Sequence, residues 1–74
     1  NPSTSIKFAL AKAGLVSIKI FDVSGREIQE LVNSNYNAGS YEVKWNANNY
    51  SSGIYFYTIK TNGFTETKKM ILIK

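Results

Sequence analysis

The hydrophobic residues of this chain fall into short runs in which every second position is apolar. Ile6, Phe8 and Leu10 alternate with Lys7 and Ala9, the period of a strand that lays one face on a core. Ala13-Gly14 breaks the run. Val16, Ile18 and Ile20 then alternate with Ser17, Lys19 and Phe21 before a turn over residues 22–25. These segments predict a hairpin, or a neighbouring pair divided between two sheets. Residues 26–33 are ambiguous, because Ile28, Leu31 and Val32 sit at helical spacing in a segment too short to hold a helix unaided. We read it as a short strand.

Residues 33–39 are polar and turn-rich, and after them Tyr41, Val43 and Trp45 alternate with Glu42 and Lys44 in the clearest amphipathic strand of the chain. Trp45 is expected to anchor the core. Residues 46–53 read as a loop of Asn, Ser and Gly. In the next run Tyr55, Tyr57 and Ile59 share one face, with Ile54, Phe56 and Thr58 on the other. A strand apolar on both faces suits a central place in a sheet. Asn62-Gly63 is a strong hairpin-turn signal, and residues 64–74 return as a final strand with Met70 and Leu72 on one face and Ile71 and Ile73 on the other. Physics alone favours cover on both of those faces within the domain.

Six strands without a helical segment predict an all-β fold, an immunoglobulin-like or fibronectin-like sandwich of six or seven antiparallel strands. A seventh, short strand would lie within residues 33–37. The 74 residues suffice for one domain over residues 1–74 and leave no room for a second. Five Tyr, four Phe and one Trp in a chain that is 43% hydrophobic supply the large side chains such a core needs.

Composition then removes whole classes of chemistry. There is no Cys and no His, so disulfides, thiolate nucleophiles, imidazole bases and the usual zinc ligands are excluded. The carboxylates Asp22, Glu27, Glu30, Glu42 and Glu66 form no recognised catalytic pair or calcium-loop ladder. We therefore expect no enzyme activity, no cofactor and no metal. Asp22 is expected to cap its turn, and Ser24-Gly25-Arg26 reads as a hairpin turn rather than a phosphate cradle. The formal charge is +4, spread along the chain, and Lys19, Lys44 and Lys60 do not cluster with aromatics as a nucleic-acid surface requires. No run is long enough for a transmembrane segment. The start at Asn1-Pro2 looks like a cut within a longer protein, with any signal peptide upstream.

Read in order, Asn1-Pro2-Ser3-Thr4, the run from Val16 to Asp22 with Gly25-Arg26-Glu27, Ala38-Gly39 before Val43 and Trp45, Ser52-Gly53-Ile54-Tyr55-Phe56-Tyr57 and the closing Lys68-Lys69-Met70-Ile71-Leu72-Ile73-Lys74 resemble the type A C-terminal sorting domain of the type IX secretion system. The family commonly has Asp-Gly where this chain has Asn46-Ala47, and Leu where Ser24 stands; both are loop positions. The resemblance implies a non-catalytic signal that takes an N-terminal cargo domain through the periplasm and across the bacterial outer membrane, to the cell surface or medium. It implies recognition of residues Lys68 to Lys74 by the outer-membrane translocon. Gly25, Arg26, Gly39, Trp45, Gly53, Tyr55 and Tyr57 are the motif residues expected to build the scaffold. It further implies removal by a sortase-like cysteine peptidase, with the cargo released or joined to anionic lipopolysaccharide. The alternative is a spacer or carbohydrate-binding module of a secreted hydrolase, for which an exposed row of Tyr41, Tyr55 or Tyr57 would speak.

Overall fold

The computed structural model describes residues 3–73, which form six antiparallel strands: β1 (Ser3–Leu10), β2 (Gly14–Phe21), β3 (Glu27–Tyr36), β4 (Gly39–Asn46), β5 (Gly53–Thr61) and β6 (Phe64–Leu72). β1 pairs with β4 in a two-stranded sheet, and the other four make a sheet ordered β3-β2-β5-β6. Ile6, Leu10 and Trp45 of the first sheet meet Val16, Ile18, Ile20, Val32, Tyr55, Ile59 and Leu72 of the second in one buried cluster. The chain is thus an all-β sandwich. β1 and β2 are neighbours divided between the sheets, because only residues 11–13 separate Leu10 in one from Gly14 in the other.

β3 corrects two expectations. The segment is no short strand; at ten residues it is the longest of the six, and it absorbs residues 33–36, where a seventh strand or a turn was expected. The cause is irregular pairing. Its register with β2 runs Phe21↔Glu27, Ile20↔Gln29, Lys19↔Glu30 and Ile18↔Val32, so Ile28 and Leu31 are the extra residues of two bulges. A bulge shifts the alternation by one position. Two of them within five residues turn a period of two into an apparent helical spacing.

Turn chemistry fixes the rest. Asn62 and Gly63 have φ of 41° and 83°, the double positive φ of the tight turn that matches strand twist in a two-residue hairpin, and β5 pairs with β6 through the full ladder from Gly53↔Leu72 to Thr61↔Phe64. The Asn62 side chain donates from Nδ2 to the Lys12 carbonyl at 3.3 Å, which ties this turn to the crossing between sheets. Gly14 lies against that amide with no space for a Cβ. At the head of β4 the Tyr41 hydroxyl donates to the Asn37 carbonyl at 2.7 Å, and before β5 the Tyr55 hydroxyl donates to the Ser51 carbonyl at 2.7 Å. Both reach back four residues, as in the tyrosine corners of immunoglobulin-like sandwiches.

The two sheets are unequal. The two-stranded sheet cannot cover a four-stranded one, and the shortfall falls on β6. A small cavity of about 120 Å³ opens there between Phe8 of β1 and Tyr57, Phe64, Glu66 and Lys68. Phe64 is on the inner face of β6, across from Thr61, yet it is 58% exposed.

Candidate recognition surface

Among the described residues β6 has one hydrogen-bonded neighbour, β5, and its other side is a free sheet edge. Such an edge offers unpaired backbone donors and acceptors to any incoming strand. Along its first part the strand is guarded: Glu66 and Lys68 point to the inner side and carry charge, with Nζ and Oε2 4.0 Å apart, and Lys69 follows. Charged residues at such positions oppose pairing with a stray strand. From residue 70 to residue 73 no charge remains.

The register divides that uncharged part between two faces. Met70 lies opposite Tyr55 and Leu72 opposite Gly53, while Ile71 lies opposite Ile54. Leu72 is buried and Met70 packs half-buried against the core. Ile71 is 65% exposed and Ile73, just past the strand, 79%. The division of faces is as the alternation predicts, but cover on both faces is not found, because among the described residues no layer packs outside the four-stranded sheet. Lys68 and Lys69 are exposed. Lys74, the last of the predicted recognition residues, lies outside the described residues, as do Asn1 and Pro2 of the quoted motif.

The scaffold residues anchor this end of the sandwich. Trp45 is fully buried, its ring 5.3 Å from that of Tyr55 and 5.5 Å from that of Tyr50, and its indole N–H donates to Gln29 Oε1 at 3.0 Å. The Tyr50 hydroxyl donates to the Ile28 carbonyl at 3.2 Å, so loop 47–52 is stitched to the first bulge of β3. Tyr55 is buried and Tyr57 half-buried against the same cluster, as the alternation of β5 predicts. Tyr41 is also half-buried, in a cluster with Phe8 and Tyr36 at ring separations of 4.8 to 5.4 Å. Tyr41, Tyr55 and Tyr57 therefore form no exposed row on which a sugar would stack. Gly53 opens β5 opposite Leu72, and Gly39 opens β4 opposite Leu10, at the other end of the sandwich.

Gly25 and Arg26 belong to the β2–β3 turn. Asp22 Oδ1 accepts from the Ser24 hydroxyl at 2.6 Å and from the backbone N–H groups of Ser24 and Arg26, each at 3.0 Å, while Oδ2 is 3.3 Å from Arg26 Nε. Gly25 takes a φ of 90°, where a side chain would be strained. The capped turn expected from the sequence is what forms. The Ser24 hydroxyl, then the Arg26 amide, hold the Asp22 carboxyl below its ordinary value of 3.8, against a small opposing effect of desolvation. A carboxyl whose pKa is lower in the folded state contributes stability above its unfolded value, lost as pH falls through the folded one. Asp22→Asn keeps the acceptor and loses the charge. Its denaturant midpoint should therefore drop less than that of the parent between neutral pH and about pH 3; an equal drop would show that Asp22 adds nothing to acid sensitivity.

The sequence reading missed Phe21, Ile54 and Phe56 as surface residues. Phe21 pairs with Phe56 across β2 and β5, and Ile54 with Ile71 across β5 and β6, all on the outer face of the large sheet. Ile54 is 42% exposed, and Phe21 and Phe56 are partly so. The signal was present as the second apolar face of β5, which suited a central strand and so passed for buried.

Among the described residues no group of carboxylates is arranged to hold a metal ion, and no helix is long and apolar enough to cross a membrane. Comparison with known proteins gives one family: a family model described as the secretion system C-terminal sorting domain matches residues 1–74. No curated protein and no solved structure matches the chain.

Proposed function

The chain belongs to the secretion system C-terminal sorting domain family, the type IX sorting signals, and on that premise we propose that the machinery reads it at the edge strand β6 and the residues that end it. A sorting signal must be held in place and yet be accessible. Residues 68–74 are proposed to meet both needs. The observation that supports this is the division of the last strand, with Leu72 buried in the core while Ile71 and Ile73 stand in solvent beside an unpaired backbone edge. A partner that adds a strand to β6 gains main-chain hydrogen bonds along the edge and apolar contact with the exposed isoleucines.

The attached N-terminal cargo then crosses the outer membrane through the translocon, by way of the periplasm, to the cell surface or the medium. A sortase-like cysteine peptidase removes the domain afterwards, and the cargo is released or joined to anionic lipopolysaccharide. None of these steps asks for chemistry from the domain itself; the bond broken is broken by the peptidase, for which this chain is a substrate.

The test places the domain behind an export signal and a soluble reporter, in a bacterium with the type IX machine. Reporter carrying the domain should reach the surface or medium, and reporter without it should stay in the periplasm. Equal retention of both would refute the reading.

A further inference from the structure

We infer that the recognised surface is not the terminal segment alone but a preformed face built by three strands, in which Phe21 of β2 and Ile54 and Phe56 of β5 lie alongside Ile71 of β6. The inference rests on the reading of β6 as the recognised strand. Phe21 and Phe56 are cross-strand partners, as are Ile54 and Ile71, and Ile54 and Phe56 are two apart on one strand. Side chains so placed are neighbours, so the four make one continuous apolar patch that ends at the free edge of β6. Scattered exposed apolar residues are ordinary, whereas a contiguous patch of this kind on a small domain marks a docking surface.

The occupant is a protein surface of the secretion machinery, apolar at its centre and with a carboxylate on the side that meets Lys69. The apolar centre follows from the patch and the carboxylate from the unanswered charge of Lys69; on the Phe21 side the patch is bordered by Glu27 of this chain. Lys69 lies on this face, directly across from Phe56. Lys19, on the same face, has its charge answered by Glu27 at 3.7 Å, but among the described residues no carboxylate pairs with Lys69. The domain as a whole carries +4, so an acidic partner is also drawn to it over distance. Leu15, exposed at the far end of the same face beside Ser17 and Asn35, stands apart from the patch and serves as a control.

The experiment uses the reporter fusion, and its apolar variants leave residues 68–74 untouched. Ile54→Thr with Phe56→Thr puts residues of good strand propensity on the outer face of β5, so cooperative unfolding should persist while export falls roughly tenfold or more, as removal of central apolar anchors from an interface does. Lys69→Glu should lower export further, and Leu15→Thr should leave it unchanged. If the double variant proves unstable, Ile54→Thr alone, at the more exposed position, decides the question with the same readout. Normal export by a folded patch variant overturns the inference. So does a loss from Leu15→Thr as large as that from the patch, which would make general surface polarity the cause. A concentration-dependent dimer of the purified domain that the patch variant abolishes without loss of export would assign the face to a second copy and also overturn it. A parallel fusion carrying Ile73→Ser with Lys74→Ser, which spares the core residues Met70 and Leu72, separates the two readings: retention of that fusion with normal export of the patch variant removes the composite face and leaves the end of the edge strand as the site, whereas export of both removes the edge-strand reading as well.

Discussion

Trp45→Ala is expected to abolish cooperative unfolding or to bring the denaturant midpoint close to zero. Truncating a large buried aromatic typically costs about 3 to 5 kcal/mol, and a domain of this length has roughly 4 to 11 kcal/mol in all. The cost here belongs at the upper end for a structural reason. The indole touches Tyr50 and Tyr55, which in turn fix loop 47–52 and the head of β5, and it satisfies Gln29 Oε1 in the bulged part of β3. Its loss leaves a cavity where both sheets meet and an amide oxygen without its donor. Trp45→Phe separates the two effects, since it keeps most of the ring volume and loses the hydrogen bond, a change of about 1 kcal/mol. Far-UV circular dichroism is the probe, because the only Trp is the residue replaced. An unchanged midpoint for Trp45→Ala would show that the ring adds nothing to the core.

Removal of residues 70–74 is expected to abolish export of an attached reporter. The structure complicates the interpretation of that variant, because Leu72 is a core residue and Met70 packs against the same cluster, so the deletion also loosens the sandwich. The discriminating variant replaces Ile73 and Lys74 alone. Ile73 lies beyond the end of β6 and in solvent, and exposed positions outside a strand cost little when changed. Under the proposed reading, Ile73→Ser with Lys74→Ser lowers export severalfold while the stability stays within about 0.5 kcal/mol of the parent. Full export of the truncated protein would show that residues 70–74 are not read, and that sorting information lies elsewhere in the domain.

What the sequence reveals, it reveals where alternation is unbroken. β4 and β5 are legible because Tyr41, Val43 and Trp45, and then Tyr55, Tyr57 and Ile59, keep strict period. β3 is not, because the bulges at Ile28 and Leu31 erase the period in the very segment that defines the strand, and a bulge leaves no mark of its own in one sequence. The faces of β6 are legible, but their cover is not. Whether Ile71 is buried depends on whether a third layer packs outside the sheet, and whether Phe64 is buried depends on how wide the opposing sheet is; both are properties of the assembled fold. The candidate site reads as a linear segment for the same cause: Phe21 is far from Phe56 along the chain and comes beside it only because β2 and β5 are neighbours in the sheet.

That order also sets a sequence of events in folding. β2 with β3 and β5 with β6 are hairpins that close over short loops, whereas the ladder from Val16↔Thr61 to Phe21↔Phe56 and the ladder from Ser3↔Asn46 to Leu10↔Gly39 must bring together distant stretches of chain. Contacts of that kind form late and make β-sandwiches slow folders, on the scale of milliseconds to seconds. In any chain in which Phe21 has not reached Phe56 the three-strand face does not exist, whatever the state of the β5–β6 hairpin. A partner that binds the face engages only chains that have completed the long-range ladder, and a chain arrested as separate hairpins is passed over although its terminal residues are intact. Under the proposed reading, sorting by this surface would be a test of folding as well as an address.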